Sequence, residues 1–133
     1  MTRFKTPSEI DKIRDSCRLL SSVLKEVRKI VAPGVTTRDI DAFVQTESRK
    51  LGAKPAFLGY QGYPAAVCAS VNETVIHGIP NKRKLKIGDI ISIDCGLEYD
   101  GFYRDAALTL PVGQVRSEER RVGKECRSRR WPY

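Results

Sequence analysis

Apolar residues recur along the first part of the chain at steps of three and four: Ile10, Ile13, Cys17, Leu20, Leu24, Val27 and Val31. That spacing is the stripe of an amphipathic helix with one face turned toward a core. Its start is marked by Thr6-Pro7-Ser8-Glu9. Thr6 can cap, Pro7 occupies the first helical position, and Glu9 completes a capping box. Pro33-Gly34 ends the helix. A second helix is expected from Thr36-Thr37, with Asp39 in its first turn and Ile40, Phe43, Val44 and Leu51 facing inward before Gly52 stops it. Neither helix carries a pattern that suggests chemistry.

Beyond Gly52 the period shortens to that of strands separated by turn residues. Residues 65–71 and 74–79 are two candidates, and residues 90–97 and 102–110 are two more, joined through Asp100-Gly101, a strong hairpin signal. Helices followed by a run of strands define an α+β order. The expected architecture is therefore two helices followed by antiparallel strands.

The hairpin geometry can be worked out from the turn. If the turn is centred on Asp100-Gly101, Asp94 lies opposite Ala107, and Asp105 projects from the same face as Asp94. The two carboxylates then become diagonal neighbours, roughly 7–8 Å apart at the backbone. A three-residue turn would break this parity. Alternation in the strand puts Ile90, Ser92 and Asp94 on one face and Ile91 and Ile93 on the other. Two like charges on a shared face disfavour each other's ionisation unless a cation intervenes, and hard oxygen ligands suit divalent metals. The same spacing also fits a solvent-facing strand with two scattered Asp.

Composition narrows the function classes. The chain has 133 residues, 41% hydrophobic and 30% charged, with one His, one Trp and one Met. These values describe one soluble globular domain. There is no apolar run of membrane-spanning length and no signal-peptide core, so a cytoplasmic location is expected. Net charge is +8, yet half of the excess sits in residues 116–133, which hold 7 Lys+Arg against 3 Asp+Glu. Such a tail suits either an electrostatic arm for nucleic acid or a solvated end. Cys17, Cys68, Cys95 and Cys126 form no C-x-x-C pair, and they read as buried or incidental thiols.

His77 is the lone imidazole, which excludes a site needing two histidines from this chain. No nucleophile elbow, P-loop or dinucleotide fingerprint is present. Gly59-Tyr60-Gln61-Gly62 fits a backbone-clamping G-x-x-G loop, but its flanks are not helical in pattern. Lys82-Arg83-Lys84-Leu85-Lys86 is basic and precedes a strand, where Lys commonly protects a sheet edge.

Four longer motifs together carry a resemblance. They are Gly59-Tyr-Gln-Gly-Tyr-Pro64, Val71-Asn-Glu-Thr-Val-Ile-His-Gly-Ile-Pro80, Leu85-Lys-Ile-Gly-Asp-Ile-Ile-Ser-Ile-Asp94 and Asp100-Gly-Phe-Tyr-Arg-Asp105. In order and spacing they resemble the first half of a type I methionine aminopeptidase over residues 1–115. The resemblance implies the N-terminal half of a pita-bread α+β fold, and metal-dependent removal of the initiator methionine from nascent proteins. It implies two divalent ions in the complete enzyme, drawn from Co, Mn, Fe, Zn or Ni. By position, Asp94 corresponds to the carboxylate ligand of one metal and Asp105 to the carboxylate bridging both. His77 corresponds to the substrate-contacting histidine, and Tyr60, Tyr63 and Cys68 to the methionine pocket. The implied partners are nascent polypeptide N-termini, with transient ribosome association, a monomeric state, no membrane and no specific nucleic acid.

The sequence also departs from that family. A His and two Glu that complete the metal set belong to a second half, so the chain is expected to be a truncated, inactive fragment. Gln61 stands where a His is frequent, and Phe57 where some members have Cys. Residues 116–128 resemble an in-frame translation of a sequencing adapter, and residues 116–133 are read as a non-native tail. The competing expectations are a catalytically dead pita-bread binding module, a basic nucleic-acid or ribosome binder, and a relative of proline-specific dipeptidases.

Overall fold

In the computed structural model, residues 4–115 are described. Two helices come first. α1 spans Pro7–Ile30 and starts in a complete capping box: Glu9 N–H donates to Thr6 Oγ1 and Thr6 N–H to the Glu9 carboxylate. α2 spans Thr37–Lys50, and Thr36 and Asp39 cap it reciprocally. Each box satisfies donors that a helix start otherwise leaves unpaired.

The sheet is antiparallel. β1 (Lys54–Pro55) and β2 (Val67–Val71) pair along one edge of β3 (Ile90–Tyr99), and β4 (Phe102–Pro111) pairs along the other. Asp100 and Gly101 both have positive φ, 49° and 79°, as a two-residue type I′ turn requires. The register that follows sets Asp94 opposite Ala107 and Gly96 opposite Asp105, the pairing expected from the sequence.

Both helices lie on one face of this sheet, and the core fills the space between. Leu20, Val23, Leu24 and Val27 of α1 and Ile40 and Val44 of α2 meet Ile91, Ile93, Cys95 and Leu97 of β3, all buried. The odd-numbered positions of β3 therefore face the core, leaving Ile90, Ser92 and Asp94 on the opposite face. Leu108 and Leu110 of β4 pack on the core margin. Burying each large apolar side chain stabilises the fold by about 1.5–3 kcal/mol.

Several local expectations are corrected. Ile10 and Cys17 of the α1 stripe are exposed, as is Leu51 after α2; Ile10 and Leu51 lie at helix ends, whereas Cys17 stands in mid-helix beside Ser16, which takes the inward position. Ser16 is buried instead, its hydroxyl donating to the Phe102 carbonyl. The strand expected over residues 74–79 is absent. Asn72 and His77 have left-handed φ of 52° and 56°, which breaks the extended conformation a ladder needs. Only Gly78 returns to the sheet, accepting from Ala69 N–H at 2.8 Å. β1, a two-residue strand containing a Pro, carried no sequence signal. The tail of residues 116–133 and its boundary lie outside the described residues.

Candidate metal centre

The face of the sheet away from the helices collects the chemistry-bearing residues. Across three strands, Cys68 lies opposite Asp94 and Ser70 opposite Ser92, while Ala107 and Thr109 occupy the same rungs on β4. Opposed residues share a face, so Cys68, Ser70, Ser92, Asp94, Asp105 and Thr109 form one polar surface. Ser92 Oγ and Thr109 Oγ1 are hydrogen-bonded at 2.7 Å.

Asp94 is the anomalous member of this surface. Its Oδ1 is buried and has no hydrogen-bond partner among the described residues. Burial raises the Asp94 pKa above the ordinary carboxylate value, the Asp105 charge adds to the rise, and His77 opposes it. Two carboxylates that repel one another, with one oxygen lacking a donor, form an acceptor-only site suited to a hard cation. The residues fit a divalent metal in part: among the described residues no group of three or more His, Cys, Asp or Glu could hold an ion. Asp94 and Asp105 supply oxygens, and a complete coordination shell needs further ligands.

The flanking residues are held by β2 and the segments over it. Tyr63 Oη donates to the Val67 carbonyl at 3.0 Å and lies 3.3 Å from the Gly78 carbonyl. Burial raises the Tyr63 pKa, with a hydrogen bond to Cys68 next and then the charges of Cys68, Asp41 and Asp94, so this phenol stays protonated. Cys68 is buried on the Asp94 rung. Cys95, on the core side, has its thiol pushed up to about 12 by burial first and then by Asp94 and Asp41, which keeps it inert. Tyr60, in a short 3₁₀ turn, is 66% exposed. With Ala56, Phe57, Tyr103 and Arg104 it lines a shallow cleft beside Asp105.

The structure thus brings Asp94, Asp105, His77, Tyr63 and Cys68 into one electrostatically connected group, with Tyr60 at its rim. Sequence reasoning missed Ser70, whose hydroxyl accepts from Gly78 N–H at 3.0 Å, and Gly78 itself. It also missed Asp41, buried in α2, whose Oδ1 accepts from Ala66 N–H at 2.7 Å and Val67 N–H at 3.2 Å to fix the start of β2. Even-position alternation in β2 was the one available signal for Ser70. For Asp41 there was none, because its partners lie 25 and 26 residues away.

Comparison with known proteins adds three findings. The model of metallopeptidase family M24 matches residues 11–128. The methionine aminopeptidase of Borreliella burgdorferi is 52% identical over 115 residues, covering 86% of this chain and 46% of that protein. The crystal structures of methionine aminopeptidases from Thermotoga maritima and Rickettsia prowazekii each superpose with a TM-score of 0.89, at 45% and 35% identity. They cover 96% and 91% of this chain, and 51% and 49% of their own chains. The chain spans about half the length of the relatives it matches. Its helices and antiparallel sheet are the N-terminal half of the pita-bread fold.

Proposed function

Because the chain belongs to metallopeptidase family M24, we propose that it carries half of the active site of a methionine aminopeptidase, the enzyme that removes the initiator methionine from nascent proteins. One observation supports this above others: the hairpin register puts Asp94 and Asp105 on one face with a buried Asp94 oxygen lacking any donor. In this reading Asp94 and Asp105 would hold the divalent metal through their carboxylate oxygens. Such ions supply Lewis acidity toward a peptide carbonyl and activate water at neutral pH. We infer that they are drawn from the Co, Mn, Fe, Zn and Ni series.

The remaining residues bind and orient. His77 projects from an exposed segment whose charge reaches Asp94, a placement suited to a hydrogen bond with the scissile peptide. Tyr63 turns its hydroxyl to backbone carbonyls and so offers its ring, with Cys68 and Tyr60, to an apolar methionine side chain. Nascent N-termini are the proposed substrates, met by a monomer with transient ribosome association. The 133-residue chain alone is proposed to be inactive, since two carboxylates leave the shell incomplete.

The test is methionine release from Met-Ala-Ser peptides with added divalent metal. The chain as it stands is expected to release none. A chain extended to the length of its relatives is expected to be active, and Asp105→Ala to abolish that activity. Release by the 133-residue chain, lost in Asp105→Ala, would overturn the fragment reading. An extended chain that binds metal but releases no methionine would overturn the aminopeptidase reading.

A further inference from the structure

His77 has a left-handed backbone, with φ of 56°. For a residue with a Cβ this costs about 1–2 kcal/mol and persists only where the surroundings impose it. The imposing contacts fall on the next residue. Gly78 N–H donates to Ser70 Oγ at 3.0 Å, and the Gly78 carbonyl accepts from Ala69 N–H at 2.8 Å. The same carbonyl lies 3.3 Å from Tyr63 Oη. Gly78 sits so close to β2 that a Cβ on it would lie 2.3 Å from the Ala69 carbonyl oxygen. Ser70 is buried, on the same sheet face as Asp94. On the other side of His77, Thr74 N–H donates to the Val71 carbonyl at 3.1 Å, while Val75 and Ile76 between them are exposed.

We propose that Ser70, with the Tyr63 hydroxyl on the same residue, is a positioning residue that clamps Gly78 to the edge of β2 and thereby fixes the His77 imidazole toward the Asp94 face. Its catalytic meaning rests on the proposed role of His77; the clamp itself does not. Ser70 touches neither metal nor substrate in this scheme. It acts through one backbone N–H, that of Gly78, which donates to its hydroxyl.

The chain contains a single His, so its imidazole gives one Cε1–Hε1 correlation in an NMR spectrum, assigned without further variants. At one fixed pH, Ser70→Ala is expected to speed exchange of the Gly78 amide about tenfold, equivalent to the loss of about 1.4 kcal/mol of protection. It is also expected to move the His77 correlation toward its position in the urea-denatured chain, with the Ile91 and Ile93 methyl signals unchanged. Ser70→Thr, which keeps the hydroxyl, is expected to restore both. Faster Gly78 exchange with an unmoved His77 signal would overturn the proposal, since Ser70 would then hold only the loop. If Ser70→Ala does not fold, Tyr63→Phe decides: it removes the other hydroxyl and is expected to shift His77 in the same direction, and no shift overturns the clamp. In the extended, active chain Ser70→Ala is expected to lower kcat about tenfold with KM and metal affinity unchanged; an unchanged kcat overturns the catalytic meaning. Full activity of His77→Ala would overturn the underlying role of His77 while leaving the NMR result standing.

Discussion

Asp94 and Asp89 stand five residues apart and show opposite carboxylate physics. Asp89 is buried, but the Asn72 amide donates to it at 2.9 Å and Lys86 N–H at 2.9 Å. The Asn72 bond is the main cause of its lowered pKa, against which burial works. A lowered folded-state value means that Asp89 contributes stability above its unfolded value of about 3.9, lost as pH falls through the folded one. Asp89→Asn is therefore expected to flatten the acid side of a stability–pH curve measured by urea unfolding. Asp94 has no such donor, and its raised pKa makes the ionised form a burden on the fold. Asp94→Asn is expected to leave the urea midpoint of the metal-free chain unchanged or higher, and to remove any stabilisation by added divalent ion. A large loss of metal-free stability would show that Asp94 is structural. Asp41→Ala is the contrasting case: leaving the Ala66 and Val67 amides without an acceptor is expected to cost about 2–4 kcal/mol in the same measurement.

The β3–β4 hairpin is the element that turns spacing into a site. Side chains alternate with a period of two, so a one-residue slip would send Asp105 to the helix side while Asp94 stays. Inserting one Ala between Phe102 and Tyr103, beyond the Asp100-Gly101 turn, is expected to preserve a hairpin by circular dichroism yet abolish divalent-metal binding by the extended chain in calorimetry. Retained affinity would mean that the two carboxylates do not act together. This element was legible in advance because the Asp-Gly turn and the alternation are local. The segment after β2 was not. Val75, Ile76 and Ile79 look strand-like, but Gly78 approaches Ala69 too closely for a side chain, and that approach depends on Ser70 and Tyr63.

At the scale of the whole molecule, the helices cover one face of the sheet, and among the described residues the other carries no helix. Asp105, Ala107 and Thr109 are exposed on it, and Val75, Ile76, Ile79 and Ile87 add exposed apolar surface. The chain spans about half the length of its relatives. Apolar surface of this kind favours association, so sedimentation is expected to show the mass of the 133-residue chain rising with concentration. A monodisperse monomer at high concentration would show that the open face tolerates water unaided. Among the described residues no helix is long and apolar enough to cross a membrane.

By itself, the sequence determined both helices with their starts, the hairpin and its register, and the shared face of Asp94 and Asp105. All of these follow from interactions within a few residues or from the fixed period of a strand. Only the tertiary structure decided that Asp94 Oδ1 lacks a donor, that Asp41 anchors β2, and that Ser70 and Tyr63 hold the residue next to His77. Burial and hydrogen-bond partnership are set by segments distant along the chain, whose meeting no local period encodes.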